Sequence, residues 1–485
     1  MMQMQTDVGK AFGVDLIRSD EMDSAIKLWD EISTGRPPWI DPEDGVYTIN
    51  MAKHIADTRA RLIMLDIGIT VSNGTDQKNP RAEWLQARAD ELMKRLPEKM
   101  PDAVRLGGII IKFNGANWDY ILPNNFGITK VDGNGEIMGA VFAEHYAEGK
   151  AHFTRLEYHY FDDDGIYHVL NKAFRNNSVS SGVLSLGSEV PLEKVSVWAK
   201  MEPEVQIQDL EKPLFAYFRM TGSNTIDPLS PLGVSVFANA LTELKSVDVA
   251  ISRKDSEIVD SKHITFVGQA IKQYADNRKI KLPRFITGIG MGVDDTSTNA
   301  IREHNPTIQT DARLKDINFN LSMCGVKCGF SEGVFTLDGQ HGVVTATQVE
   351  ADDRDTIQTV KADRDALQSA IDQALYGASA LADLMRLAPA GDYDVHYSFG
   401  DITYSYEEDK ANWRSYVLQG WVPVWMYFVK FEKMSEDEAR AMAEEMKQES
   451  FNNLMLQQQL EAAANPPAPD IQDEQPENPE EPELV

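Results

Sequence analysis

Residue types able to do chemistry fall in four places, and each has a plain packing alternative. Cys324 and Cys328, the only cysteines of the 485-residue chain, stand four apart on a predicted helix. Two thiolates at that spacing can begin a metal site. No second Cys or His pair stands nearby at ligand spacing, and two cysteines make no disulfide framework, so the pair reads as small side chains buried on one helix face. Asp162-Asp163-Asp164-Gly165 offers three carboxylates but lacks the spaced ligands and later bidentate Glu of a calcium loop, so it reads as a hairpin turn. His145, His152, His159 and His168 share this region. His152 and His159 are an odd number apart, which puts them on opposite faces of a strand and argues against a zinc cluster.

The third place is the segment 262–290. Lys262, Lys272, Arg278, Lys279, Lys281 and Arg284 stand there against one acid, Asp276, a local charge of +5 in a chain of −29. Either this is a solvated loop with clustered charge, or it meets an acidic partner or phosphates. The fourth is glycine-studded: Gly329, Gly333, Gly339 and Gly342, around Phe335-Thr336-Leu337-Asp338-Gly339-Gln340-His341. No Walker-type Gly-Lys-Ser/Thr occurs, so a phosphate-cradling ATP site is unsupported. No catalytic residue, metal ligand or cofactor is expected.

The elements that must position these residues read as α+β. Helices are predicted from Met51 to Asp66 and from Pro80, a good first helical residue, to Leu96. Gly108 to Phe113 is a short apolar strand. Hairpins are predicted about Asp132-Gly133-Asn134-Gly135 and, between Phe153–Phe161 and Ile166–Ala173, about Asp162. A helix with Ser230 as cap and Pro231 as opener carries Val236, Phe237, Ala240, Leu241, Leu244, Val247 and Ile251 on one stripe to about Val259. Another, from about Ala312 to Gly329, sets Leu314, Ile317, Leu321, Cys324 and Cys328 on one side. Thr345 to Leu387 predicts a helix of roughly 60 Å, with Gly377 as a bend. Its polar first half and apolar second half suggest passage between two environments. Tyr393 to Tyr406 resembles a strand pair, Ser435-Glu436-Asp437-Glu438 a capping box, and the Pro-rich acidic stretch 465–485 a disordered tail.

At −29 a free protein repels nucleic acid, which excludes a tight DNA binder but not a conduit through which DNA slides. No apolar run reaches the roughly 18–20 residues of a membrane span, and the N-terminus lacks the marks of a secretory signal.

Four blocks in order over residues 45–450 resemble the portal proteins of siphophages, the portal family typical of phages of Gram-positive hosts. They are Lys112-Phe113 through Tyr120-Ile121-Leu122-Pro123 to Ala140-Val141-Phe142; Pro213-Leu214-Phe215-Ala216-Tyr217-Phe218 with Asn224-Thr225-Ile226-Asp227, Ser230-Pro231-Leu232-Gly233 and Ala238-Asn239-Ala240; Cys328 to Gly339 with Thr345-Ala346-Thr347-Gln348-Val349 and Asp355-Thr356; and Phe399-Gly400-Asp401-Ile402 with Gly420 and the helix after Ser435. In the last block Trp421-Val422-Pro423-Val424-Trp425 replaces the family's short turn.

The resemblance implies a portal fold of wing, stem, clip and crown and a homo-oligomeric ring, usually of twelve, at one capsid vertex of the virion, assembled in the host cytoplasm. It implies a wing over 1–230, a stem helix over 231–261, a clip over 262–311, a second stem helix over 312–330, a tunnel loop over 331–343, a long channel-to-wing helix over 344–391, and wing end and crown over 392–464. Thr336, Asp338, Gln340 and His341 would then face DNA, and Lys272, Arg278, Lys279, Lys281 and Arg284 would meet partner or phosphate. The implied partners are double-stranded DNA, the large terminase, a head-completion adaptor, and major capsid and scaffolding proteins, with no membrane. Twelve copies would carry about 350 negative charges at −29 each, and glycines in the loop would give the identical subunits freedom to fit the DNA helix. The competing readings are a carboxylate-rich, metal-dependent nuclease drawing on the 76 acids, and another virion ring protein from capsid or tail.

Overall fold

The computed structural model describes residues 4–17, 19–41, 43, 45–72, 79–176, 186–261, 264–267, 277–278, 285–287, 301–304, 309–337, 354–400, 413–418, 422–431, 434–435 and 438–448. The chain divides into two compact units, 1–403 and 404–485. It is α+β, as expected.

The first unit opens with α1 (Met4–Phe12), α2 (Asp20–Ser33) and α3 (Met51–Ile63), then strand β1 (Gly68–Ser72) and the long helix α4 (Pro80–Leu106). Asn79 caps α4, its side chain accepting from the Arg81 and Ala82 amides, and Pro80 fills the first turn. The expected stop at Leu96 is wrong: α4 runs on through Pro97 and Pro101. An interior proline costs a helix about 3 kcal/mol. Here Leu96, Met100, Ala103, Val104 and Leu106 are all fully buried, and their burial outweighs that cost.

Two antiparallel sheets follow. In the first, β2 (Gly108–Phe113) lies between β3 (Trp118–Ile121) and β10 (Phe215–Arg219). Every residue of β2 is buried. Its side chains alternate between two cores, Ile110 entering one and Ile109, Ile111 and Phe113 the other. The second sheet runs β4 (Phe126–Val131), β5 (Ile137–Glu148), β6 (Ala151–Phe161) and β7 (Tyr167–Arg175), with β8 (Ser188–Val190) and β9 (Glu204–Ile207) both on β7. Both expected hairpins are present. In each turn one aspartate holds the chain: Asp132 Oδ1 accepts from the Asn134 and Glu136 amides, and Asp162 Oδ1 from those of Asp164 and Ile166.

The helix expected from Ser230 begins only at Leu241, as α5 (Leu241–Asp260), after a 3-10 turn at Ala238–Ala240. Residues 231–237 are drawn off by tertiary hydrogen bonds: the Gly233 amide donates to the Tyr217 hydroxyl and the Val236 amide to the Val104 carbonyl. Here the backbones of Gly107 and Gly233 touch; a Cβ on Gly107 would lie 2.4 Å from the Gly233 carbonyl oxygen. The apolar stripe was real, but its first turn belongs to a loop that packs by the same residues.

Between α5 and α6 (Thr310–Lys327) lies a small sheet. β11 (Ile264–Val267) pairs in parallel with β12 (Phe285–Thr287) and antiparallel with β13 (Ile301–His304). Of the long helix expected over 344–391, residues 344–353 lie outside the described ones; α7 spans Arg354–Leu384. It is unbroken at Gly377, which serves a close approach instead of a bend: a Cβ there would sit 3.0 Å from the Leu214 carbonyl oxygen. Its polar half is divided: Arg354, Asp355, Lys361 and Asp365 are exposed, but one side of the helix turns polar groups inward. Thr356, Asp363 and Arg364 are buried, Arg364 donating to the carbonyls of Leu62, Ile63, Leu65 and Gly400 at the end of α3 and beyond. Of the strand pair expected over 393–406, one strand is described: β14 (Asp394–Ser398), which pairs with distant β1; 401–406 lie outside the described residues.

In the second unit the described residues form a helix at 413–418, α8 (Val424–Phe431) and a helix over 438–448. The capping box is formed, the Ser435 hydroxyl accepting from the Glu438 amide and the Glu438 carboxylate from the Ser435 amide. The expected disordered tail, 465–485, lies outside the described residues.

Candidate functional site

The helix pair α5–α6 is antiparallel, pinned at both ends by ion pairs. Lys327 meets Glu243 at 2.6 Å near the base, and Arg313 meets Glu257 at 2.8 Å toward the insert. Between them Leu244, Val247 and Ala250 bury against the same core as Ile317, Leu321 and Cys324. The cysteines are free and buried. Burial pushes the Cys324 thiol up to about 12 and the Cys328 thiol far above its ordinary value, so neither offers a thiolate. On the other flank of α5, Trp39 Nε1 and the Ile49 amide donate to the buried Asp248 carboxylate, and the Tyr47 amide donates to Ser252 Oγ. Sequence reading missed this strap of residues 39–49; the stretch Pro37-Pro38-Trp39, two prolines before a lone tryptophan, was its signal.

Of the five cationic candidates in the insert, Arg278 is placed, exposed in a turn; Lys272, Lys279, Lys281 and Arg284 lie outside the described residues. Thr336 is described and Asp338, Gln340 and His341 are not. Thr336 turns back on its own loop, its hydroxyl donating to the Gly333 carbonyl at 2.9 Å.

The start of the glycine-rich segment is anchored; the freedom expected of its later part falls on residues 338–343, which lie outside the described ones. Phe330 and Phe335 meet edge to face at 4.9 Å between ring centroids, both buried. The Ser331 amide donates to Thr356 Oγ1 at 2.7 Å, and the Thr356 amide to Ser331 Oγ. The Leu337 amide donates to Asn318 of α6. Positive φ at Gly329 and Gly333 makes these turns possible. Beneath them lies a buried ion pair: Arg59 Nε donates to Asp363 Oδ2 at 2.6 Å, Arg59 Nη1 reaches the Gly329 carbonyl, and its guanidinium lies 5.5 Å from the Phe330 ring centre. Asp363 also accepts from the Thr221 hydroxyl. One carboxylate thus ties α3, α7, the end of β10 and the root of the glycine segment.

A second concentration of charge lies in the strands. Lys112 Nζ meets both Glu157 oxygens at 2.7 Å, and Arg155 bridges Glu157 at 2.9 Å and Glu144 at 2.7 Å. His159 Nε2 lies 2.6 Å from Glu157, its Nδ1 2.8 Å from the Tyr167 hydroxyl, which in turn accepts from the Leu214 amide. The chain of donors is consistent with a neutral imidazole protonated on Nε2. Burial lowers His159. For Glu157 burial acts upward, but Lys112 and Arg155 outweigh it and hold the carboxyl well below its usual range. A group so held makes a poor general base near neutrality; it is a fixed bridge between sheets. Cavities of about 280 and 450 Å³ flank it. Arg155, Glu157 and His159 at spacing two along one strand were the signal that could have found it.

His168 Nε2 meets Asp162 at 2.8 Å, and His145 Nδ1 meets the Thr154 hydroxyl at 2.9 Å. Among the described residues no group of three or more His, Cys, Asp or Glu is gathered to hold a metal ion, and no helix is long and apolar enough to cross a membrane. No protein-family model matches the chain, and no curated protein matches it.

Proposed function

We propose that this chain is a subunit of a tailed-bacteriophage portal: a structural ring, not an enzyme, at one capsid vertex, through which double-stranded DNA is packaged and ejected. The observation that carries the reading is the order of parts in α5–α7. Two antiparallel helices bracket a basic insert, and a glycine-rich segment follows at once, its root fastened to a long helix by Ser331–Thr356 and Arg59–Asp363.

In this reading α5 and α6 are the stem and the insert is the clip, which docks the large terminase and later the head-completion adaptor. Residues 331–343 are the tunnel loop, and the capsid and scaffolding proteins meet the outer parts. The anchored root suits such a loop, because a segment brushed by moving DNA needs a fixed base. A charge of −29 per copy favours sliding over adhesion, and a closed ring needs two different contact faces on each subunit.

The native mass of the purified protein tests the assembly. Twelve copies of 54.3 kDa give an assembly near 650 kDa. A 54.3 kDa species at every concentration would overturn the reading.

A further inference from the structure

Buried arginines in the first unit are held by partners. Arg59 has Asp363, Arg155 has Glu144 and Glu157, Arg81 has Asp383, and Arg364 has four carbonyls. Arg219, at the end of β10, differs. Its Nε is buried without a hydrogen-bond partner, and among the described residues its guanidinium meets no carboxylate. It lines a pocket of about 210 Å³ with Glu136, Tyr217, Ser369 and Gln373. That space exceeds the roughly 30 Å³ of one water several times over.

The surroundings choose the ligand's charge. A half-buried guanidinium without a counter-ion is an unmet demand for an anion, and its planar edge suits the two oxygens of a phosphate or carboxylate. Gln373 is fixed in place, its Nε2 donating to the Phe215 carbonyl at 2.9 Å. The Ser369 hydroxyl now donates to the Asp365 carbonyl of its own helix at 3.0 Å and can rotate to serve a guest. Glu136, exposed at the mouth, sets a negative charge against any arriving anion.

We propose that this pocket is an oxyanion site, in which Arg219 binds a phosphate or carboxylate with help from Ser369. The oxyanion comes from free solution or from a carboxylate side chain of a second copy of the chain. The site does not depend on the portal reading.

The test uses the full chain at constant ionic strength, with chloride replaced stepwise by inorganic phosphate and thermal unfolding as the readout. The midpoint should rise with phosphate and saturate, as binding to the folded state requires. Arg219→Gln should abolish the rise. Arg219→Lys, which keeps the charge but loses the fork, should weaken binding about tenfold or more, and it carries the comparison if Arg219→Gln does not fold. Glu136→Gln should tighten binding. Sedimentation distinguishes the sources: with a carboxylate from a second copy, Arg219→Gln lowers the assembled fraction and phosphate lowers it in the unaltered protein; with a free anion, assembly is unchanged and only the phosphate response is lost. An Arg219→Gln protein that responds to phosphate and assembles like the unaltered one overturns the proposal.

Discussion

α6 and α7 treat polarity in opposite ways. The first half of α7 is rich in charge by sequence, yet Asp363 is fully buried and Arg364 nearly so. α6 buries one side, Ile317, Leu321 and Cys324, and leaves Phe319 65% and Val326 48% exposed on the other. The buried charges of α7 are locks, Asp363 held by Arg59 and Thr221 and Arg364 by four carbonyls, while Arg354, Asp355, Lys361 and Asp365 face solvent. In the proposed ring, the exposed apolar residues of α6 are the surface that a neighbouring copy would cover. The lesson is that a helix's environment is decided by its partners: a charge with a fixed partner can go inside, and an apolar side chain can stay outside when its element is built to meet another molecule.

The contrast breaks most visibly at Asp363. Asp363→Ala leaves the Arg59 guanidinium buried and uncompensated, so a loss of about 3–5 kcal/mol is expected in urea unfolding. Replacing both partners, Arg59→Met with Asp363→Leu, should recover most of it. A single variant that unfolds like the unaltered protein would mean α7's charges are not locks.

Acidification probes the strand cluster. The folded His159 is held below its ordinary 6.5 by burial, so as pH falls through that value the unfolded chain takes up a proton that the folded one refuses. Stability should therefore fall between about pH 7.5 and 5.5, by at most about 1.4 kcal/mol per pH unit for one proton. His145, also lowered by burial, adds in the same direction. The bridge at Glu157 is held well below 4.5 and should survive this window, failing only in stronger acid. His159→Gln should flatten the slope of melting temperature against pH; an unchanged slope would show that His159 is not the buried neutral group described.

How much of this was legible depends on the range of the forces involved. Hairpins about Asp132 and Asp162 could be read because their turns are closed by the aspartates' own neighbours. The cysteine face of α6 could be read from spacing. The start of α5 could not, because Tyr217 and Val104, far along the chain, hold residues 231–237 out of the helix. The passage of α4 through Pro97 and Pro101 was hidden for the same reason: local propensity says stop, and burial of Leu96, Met100 and Val104 says continue. Asp363 and Glu157 carry no local signal of burial, because their partners Arg59 and Lys112 lie far off in the chain. Of the nine partner and DNA contacts inferred from the family resemblance, Thr336 and Arg278 are the described ones, and Thr336 is engaged with its own turn.

Smaller in stability but sharper in function is the insert. Reversing charge at Lys279, Lys281 and Arg284 should change unfolding by no more than about 0.5 kcal/mol and leave assembly intact, while DNA packaging into capsids fails. Unchanged packaging would refute the docking role. The smallest effect is expected from removing the residues after Pro466, a stretch of prolines and acids without Lys or Arg, which should leave the assembled fraction in sedimentation as it was.

In the proposed portal, identical copies of this chain surround an axial hole. Electron micrographs of the purified, full-length protein, averaged along the particle axis, test it directly. About twelve equal wedges around an open centre are expected. Solid particles, or single subunits with no opening at any concentration, would contradict it.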